Sequence, residues 1–342
     1  MRQLRAGFLF LLAGLVLTLL TGCGEKEASI TIFAMDTVMT LEAWGDTAQE
    51  AVELGAAKIN ELDRLLSVNN ESSDIWAINH GSGKVAVSQD TAALIETGLS
   101  LWRSTGGALN IAMYPVVRAW GFTTEAYRVV GEEERRFLLA LTDLSQLALD
   151  SNAGTVSTPE GMELDLGSLG KGYAGDQVMA LFRAQGVQSA CISLGGNVHT
   201  LGGKPDGSAW RIAVQDPEEP GSYLGILSVT DKAVVTSGGY ERFFEENGQI
   251  YWHIMDPETG APADSGLISA TVVGESGVLC DGLSTALFIM GAERAADYWR
   301  AHEGFDFLLV GGDHTIYLTE GLEDAFTLEP GYEGRELQVI RK

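Results

Sequence analysis

Basic residues are scarce in this chain: 22 Lys and Arg face 47 Asp and Glu, a formal net charge of −25. A surface of that sign repels phosphate backbones, and no Lys/Arg cluster offsets it, so nucleic acid is excluded as a partner. Cysteine is rarer still, with three (Cys23, Cys191, Cys280) in 342 residues. That is too few for a disulfide scaffold, and the wide spacing rules out a structural zinc site. The five histidines (His80, His199, His253, His302, His314) show no paired ligand spacing. Proline is limited to 8 residues, and the 42 glycines follow no collagen-like period. What is abundant is apolar: 45% of the chain is hydrophobic and 20% charged, enough to bury a core and exclude wholesale disorder. At about 150 residues per domain the length allows two domains or one large catalytic unit.

No apolar run is long enough to span a bilayer. Ala6 to Leu20 covers about 15 residues, short of the roughly 20 required. Arg2 and Arg5 precede it without any acid, and Leu20-Thr21-Gly22-Cys23 follows. This is the layout of a signal peptide. Its end resembles the bacterial lipobox, in which the cysteine is acylated and becomes the new N-terminus. Residues 1–22 are therefore expected to be a lipoprotein signal peptide and 23–29 a lipidated tether. Acyl chains on Cys23 would provide the membrane attachment, since an anionic lipid surface repels so acidic a chain. With Cys23 modified, Cys191 and Cys280 read as buried thiols.

Apolar positions recur at helical spacing from Thr47 to Leu66, Thr91 to Arg103, Glu132 to Leu141, Tyr173 to Gln185 and Ala292 to Ala301. Strand-like alternation marks Trp210–Val214, Gly225–Val229, Ile250–Met255 and Ile268–Val273. Phe305–Val310 and Thr315–Leu318 read as a hairpin. The elements mix without a regular βαβ alternation, which predicts an α+β fold with mostly antiparallel sheet. A single catalytic domain is expected over 30–325, with 326–342 a C-terminal extension.

Three local patterns carry chemistry. Gly170-Lys171-Gly172-Tyr173-Ala174-Gly175 matches the dinucleotide fingerprint, but no acid stands in Val187 to Gly196, where a ribose partner is needed. It also lacks the Ser/Thr of a P-loop. What survives is a Gly-rich turn into a helix, suited to an anion with Lys171 as counter-charge, or purely structural. Asp281 and Thr285, four apart on a helix-like run ending at Gly291, put two hard oxygens on one face, as Mg²⁺ requires. Alternatively, Asp281 caps the helix and Thr285 is buried. His253, at the end of a strand before Asp256-Pro257-Glu258-Thr259-Gly260, reads as a base near neutral pH or as a hydrogen-bonded structural histidine.

These patterns occur in order with Met35-Asp36-Thr37, Ser67, Ser73-Asp74-Ile75, Asn79, Gly107-Ala108-Leu109-Asn110, Pro115, Trp120-Gly121-Phe122, Asp165-Leu166-Gly167, Ser193-Leu194-Gly195-Gly196-Asn197, Trp210-Arg211-Ile212 and Thr236-Ser237-Gly238. Together they resemble the ApbE-type FAD:protein FMN transferase family over roughly residues 30 to 320. The resemblance implies a T-fold-like α+β architecture and an exported enzyme. It would move FMN from FAD onto a Thr hydroxyl of an acceptor flavoprotein of an extracytoplasmic electron-transfer system, releasing AMP. It places FAD against Met35, the Ala108-Leu109-Asn110 strand, Asp165, Lys171 and the backbone near Met255. Mg²⁺ falls to Asp281, Thr285 and the Ser168 carbonyl. A Thr hydroxyl is a weak nucleophile, so a base is needed: His253 first, with Asp281 or a metal-bound hydroxide in reserve. Three positions depart from the family pattern: Val68 stands where an aromatic often stacks on the flavin, Asn110 where Asp is common, and Ser168 where Ala is common. A Mg²⁺-dependent FAD pyrophosphatase and a non-catalytic flavin-binding lipoprotein are the competing readings; the two metal ligands disfavour the second.

Cys23→Ala is expected to abolish acyl labelling and leave the precursor unprocessed. Normal processing and labelling of this variant would overturn the lipobox assignment.

Overall fold

The computed structural model describes residues 26–342 apart from Pro220. The expected signal peptide, Cys23 and residues 24 and 25 of the tether lie outside the described residues. In chain order the elements begin with β1 (Glu27–Ala34), β2 (Thr37–Trp44), α1 (Ala48–Leu66), α2 (Asp74–His80), β3 (Val85–Ala86) and α3 (Gln89–Ser104). There follow α4 (Tyr114–Ala119), α5 (Glu132–Leu139), β4 (Ala148–Asp150), β5 (Thr155–Ser157), α6 (Gly167–Ala184), β6 (Ser189–Leu194) and β7 (Asn197–Leu201). Next come β8 (Trp210–Gln215), β9 (Tyr223–Val229), β10 (Ala233–Gly238), β11 (Phe243–Glu246) and β12 (Gln249–Trp252). The chain closes with β13 (Leu267–Gly274), α7 (Gly277–Ala301), β14 (Phe305–Gly311), β15 (Ile316–Thr319), β16 (Phe326–Leu328) and β17 (Leu337–Ile340).

A nine-stranded sheet, in the order β1-β2-β6-β7-β10-β13-β14-β15-β17, forms the frame. Every neighbouring pair in it is antiparallel except β15–β17. The architecture is α+β, as expected. Period-two alternation assigns its faces. Val235, Val272 and Leu309 point to the core shared with α3, α6 and α7, while Val234, Val273, Leu308 and Val310 point to the small sheet β16-β9-β8. Helix α1 buries Val52, Ile59 and Leu62 against β1 and β2 in a separate cluster. Full burial of Phe182, Phe288 and Phe307 contributes roughly 2–3 kcal/mol for each side chain.

Several expectations are corrected. Strand β1 starts at Glu27, and Ala28 pairs with Ala43, so the last part of the expected tether belongs to the sheet. Residues 326–342 are no extension: β16 adds to β9 and β17 to β15, and Phe326 is buried. Both strands are too short to show a period. Ala108–Asn110 is a loop rather than a strand, and the strand expected to reach Met255 ends at Trp252. Helix α6 begins at Gly167, so Gly170, Lys171 and Gly172 lie within it rather than in a turn before it. Cys191 and Cys280 are both free; Cys280 is buried and Cys191 half-buried, with burial pushing the latter's thiol up to about 12.

The glycines of α6 serve close approach instead. A Cβ on Gly172 would overlap the Gly277 carbonyl oxygen and lie 2.7 Å from Asp281 Cβ, whereas one on Gly170 would meet only Leu66 Cδ1 at 3.9 Å. Gly172→Ala is therefore expected to cost about 1–3 kcal/mol, and Gly170→Ala to gain about 0.4–1 kcal/mol. Thermal unfolding of the two variants measures the contrast; equal shifts would refute the close-packed seam.

Candidate active site

One cleft collects most of the residues singled out from the sequence. Ala108, Leu109, Asn110, Asp165, Ser168, Lys171, His253, Met255, Asp281 and Thr285 all line it. They arrive from the loop after α3, the first turns of α6, the segment after β12, and the second and third turns of α7. Gly106 and Gly107, with φ of 63° and 93°, reverse the chain after α3 and deliver the loop. Two residues are not brought in. Met35, at φ 48° in the β1–β2 turn, donates its N–H to Asp63 Oδ1 at 2.8 Å and packs beside α1. Val68 packs on the larger core. Neither lines the cleft.

Asp281 sits at the deepest contact of α6 and α7. It does not cap α7, because Ser276 does, accepting from the Leu279 N–H at 3.4 Å. Its Oδ2 accepts the Gly172 N–H at 2.7 Å, and the residue is 5% exposed. Burial drives its carboxyl up to about 6; Lys171 and the Gly172 N–H pull down, while Glu241 and Asp176 push further up. Thr285, one turn on, presents its hydroxyl on the same side, 3.2 Å from Ser237 Oγ.

Asp165 is held by Gly167, whose N–H donates to Oδ1 at 2.8 Å. Burial raises its carboxyl, against the pull of that bond and the charges of Arg242 and Lys171. The Asn110 amide is held at both ends: Oδ1 accepts from the Ala112 N–H at 2.8 Å and Nδ2 donates to the Thr142 carbonyl at 3.0 Å. Those bonds use one of its two N–H donors and one of its two lone pairs, so Asn110 can meet a ligand through its backbone or its amide. Met255 is buried and bridged to Pro262, leaving backbone as its offering too.

His253 donates its backbone N–H to the Arg242 carbonyl at 3.1 Å, and Nδ1 lies 3.2 Å from the same oxygen. A carbonyl only accepts, so Nδ1 carries the proton and Nε2 keeps its lone pair. Burial, then the charges of Arg242 and Lys171, push the imidazole down to about 3. It is neutral at pH 7.

Glu241 and Arg242 also line the cleft, and the sequence reading missed both. Burial raises the Glu241 carboxyl, opposed by Lys171 and Arg242. One signal was available: Arg242 is the only Lys or Arg between Lys232 and Arg294. Among the described residues no group of three or more His, Cys, Asp or Glu is arranged to hold a metal ion. A cation in the cleft would have to draw on single carboxylates such as Asp281 together with hydroxyls, carbonyls and oxygens of a ligand.

The Asp281 shift has a definite sign. Its folded value lies above that of the unfolded chain, so its contribution to stability is fully present below about pH 4 and is lost as pH rises through about 6. Asp281→Asn keeps an acceptor for the Gly172 N–H and removes the buried charge. It is expected to stabilise the metal-free protein near pH 7 by on the order of 2 kcal/mol, with no gain near pH 4. Thermal melts across that range provide the measurement, and destabilisation at neutral pH would contradict it.

The ApbE family model matches residues 35–309. An FAD:protein FMN transferase of Klebsiella pneumoniae is 35% identical over 280 residues, covering 80% of this chain and 87% of that protein. One from Treponema pallidum is 32% identical, with 78% of each chain covered. Among solved structures, the ApbE protein of Thermotoga maritima superposes with a TM-score of 0.82 at 28% identity, covering 88% of this chain and 99% of that one. The apo flavinyl transferase ApbE of Pseudomonas stutzeri gives 0.78 at 28% identity, covering 88% and 97%. With the match running from the β1–β2 turn through the cleft to β14, the chain belongs to the ApbE family.

Proposed function

We propose that this protein transfers the FMN half of FAD to a Thr hydroxyl of an acceptor protein and releases AMP. The observation that carries the reading is the convergence of Asp281, Thr285, Lys171 and the free Nε2 side of His253 on one cleft. The cleft suits Mg²⁺. Asp281 offers a buried carboxylate with Oδ2 held by the Gly172 N–H, Thr285 a hydroxyl one turn on, and Ser168 a carbonyl in the cleft wall, all hard oxygens. A Mg²⁺ site with few carboxylates is completed by substrate phosphate oxygens. When bound, the ion would neutralise pyrophosphate charge and polarise the phosphorus.

The chain's own residues account for the remaining work. Lys171 and Arg242 supply positive charge that lets a chain at −25 accept a pyrophosphate. The backbone of Ala108 to Asn110 and of Met255 forms the opposing wall, with Asp165 beside it. His253 Nε2 takes the Thr proton as the hydroxyl oxygen attacks the FMN phosphorus and the bond to the AMP oxygen breaks. In the ligand-free cleft burial and then two cations depress that imidazole; a bound pyrophosphate opposes the cations and raises its basicity. Asp281, as metal ligand, is the reserve base. We further propose that the acceptor is a flavoprotein of an extracytoplasmic electron-transfer system, reached from a membrane to which Cys23 is lipid-anchored.

His253→Ala is expected to lower transfer by about 10²–10⁴-fold while FAD affinity stays nearly constant. Asp281→Ala should raise the Mg²⁺ requirement more than Thr285→Ala, because it removes ligand charge as well as a bond. Mass spectrometry of the acceptor, with AMP and free FMN measured in parallel, reads the outcome. One FMN added to Thr with equal AMP supports the transferase. Free FMN and AMP without adduct would replace it by a pyrophosphatase, and FAD bound unchanged by a flavin-binding lipoprotein.

A further inference from the structure

Strands β11 and β12 form a sheet of their own, and among the described residues neither pairs with any other strand. The turn between them is Asn247-Gly248, with φ of 54° and 78°, the two-residue loop that suits a twisted hairpin. An isolated two-stranded ribbon is marginal in water unless one face is supported. Here the register puts Phe244 and Tyr251 on one face. Their rings stack at 5.1 Å, and Tyr127, Trp120 and Phe122 pack against Phe244 at 5.1, 6.4 and 5.7 Å. That face is occupied. The other carries Phe243, Glu245, Ile250 and Trp252. Trp252 turns into the core, its ring 5.7 Å from Phe288 and its Nε1–H donated to the Ala263 carbonyl at 3.0 Å. Phe243 and Ile250 remain 49% and 52% exposed.

The roots of both strands are cleft residues. Arg242 immediately precedes β11 and His253 immediately follows β12, joined by the His253 N–H to the Arg242 carbonyl. A chain lying along β11 thus has its end at the cleft mouth, beside the His253 imidazole.

The geometry points to this hairpin as the docking site for an extended, Thr-bearing segment of the acceptor protein, and the inference rests on the transferase reading above. The segment adds to the free edge of β11 through main-chain hydrogen bonds, sets a long apolar side chain beside Phe243 that reaches across β11 toward Ile250 on the same face, and presents its Thr hydroxyl to His253. An unpaired edge supplies the binding groups, and the exposed apolar pair supplies the contact area. The continuity of the hairpin with the cleft is what selects this occupant, because the second substrate must bring the side-chain hydroxyl of a Thr within a polypeptide into a recessed site. A membrane surface fits poorly, since Glu245 and Glu246 are exposed at the hairpin end of a chain at −25.

The test uses the full chain with FAD, Mg²⁺ and a library of Thr-bearing peptides, carrying forward the peptide that the wild type modifies fastest. Phe243→Ser combined with Ile250→Ser changes two exposed side chains outside the cleft. It should raise KM for the peptide about tenfold or more while leaving FAD affinity and thermal stability unchanged. Phe243→Tyr, which keeps the aromatic face, should behave as wild type. Hydrogen exchange over residues 243–252 should slow when the peptide is added. Unchanged KM and exchange, with transfer intact, would overturn the docking site and leave the transferase standing. A dimer dispersed by the double variant with KM unmoved would make this face a contact between copies and equally overturn it. Free FMN with no adduct on any peptide would remove the transferase reading, and the docking site with it.

Discussion

The fold depends on the contact where α6 crosses α7, and two carboxylates hold it from opposite sides. Asp281 of α7 accepts the Gly172 N–H of α6 at 2.7 Å, and Asp176 of α6 accepts the Gly277 and Val278 N–H groups at 2.6 and 3.0 Å. Each helix thereby spends an acid on the other's backbone. The second bond also meets the positive end of α7, where free N–H groups and the helix dipole favour a carboxylate. The approach is possible because both contact positions are glycine, and it brings Asp281 and Thr285 beside Ser168 and Lys171. Without this seam the cleft would lack a floor.

Charge explains why the cleft differs from the rest of the molecule. A chain with 47 acids against 22 bases presents a negative field nearly everywhere. Lys171 and Arg242 converge where the carboxyls of three acids are raised by desolvation, Asp281 the most deeply buried of them, Asp165 half-buried and Glu241 at the exposed rim. A group that resists ionisation gains by meeting a cation, whereas His253, depressed first by burial and then by the same two cations, gains by meeting an anion. These opposed shifts are the electrostatic support for the proposed polyanion and metal ion in the cleft.

Legibility in the sequence followed the length of each signal. Helix α1, with its long periodic face, and the β14–β15 hairpin were plain, and so was the stop at Gly291, whose φ of 77° interrupts α7. Short strands such as β16 and β17 carry no period and were read as an extension. The Gly170–Gly175 run misled for a physical reason: glycine is the residue of tight turns, but also of helices that must touch, and composition does not distinguish them. Asp281, Thr285, Lys171 and His253 were found through chemistry at fixed spacing. Arg242 and Glu241 belong to an irregular link after β10, with no spacing to betray them, and Met35 and Val68 were carried over from a resemblance that the cleft wall does not include.

The same carboxylate that ties α6 to α7 is the one whose charge is most expensive to bury, and these two facts bear on each other. A neutral amide could accept the Gly172 N–H equally well and would avoid the desolvation that lifts Asp281 to about 6. Geometry alone therefore does not require aspartate at this position. Its charge costs stability that an amide would not, and the hydroxyl of Thr285 one turn along the same helix face sets a second hard oxygen beside it, the pair on which the proposed cation site rests. Stability surrendered at one buried acid, in a seam otherwise packed glycine against glycine, is the cost that the proposed ligand would have to offset on binding.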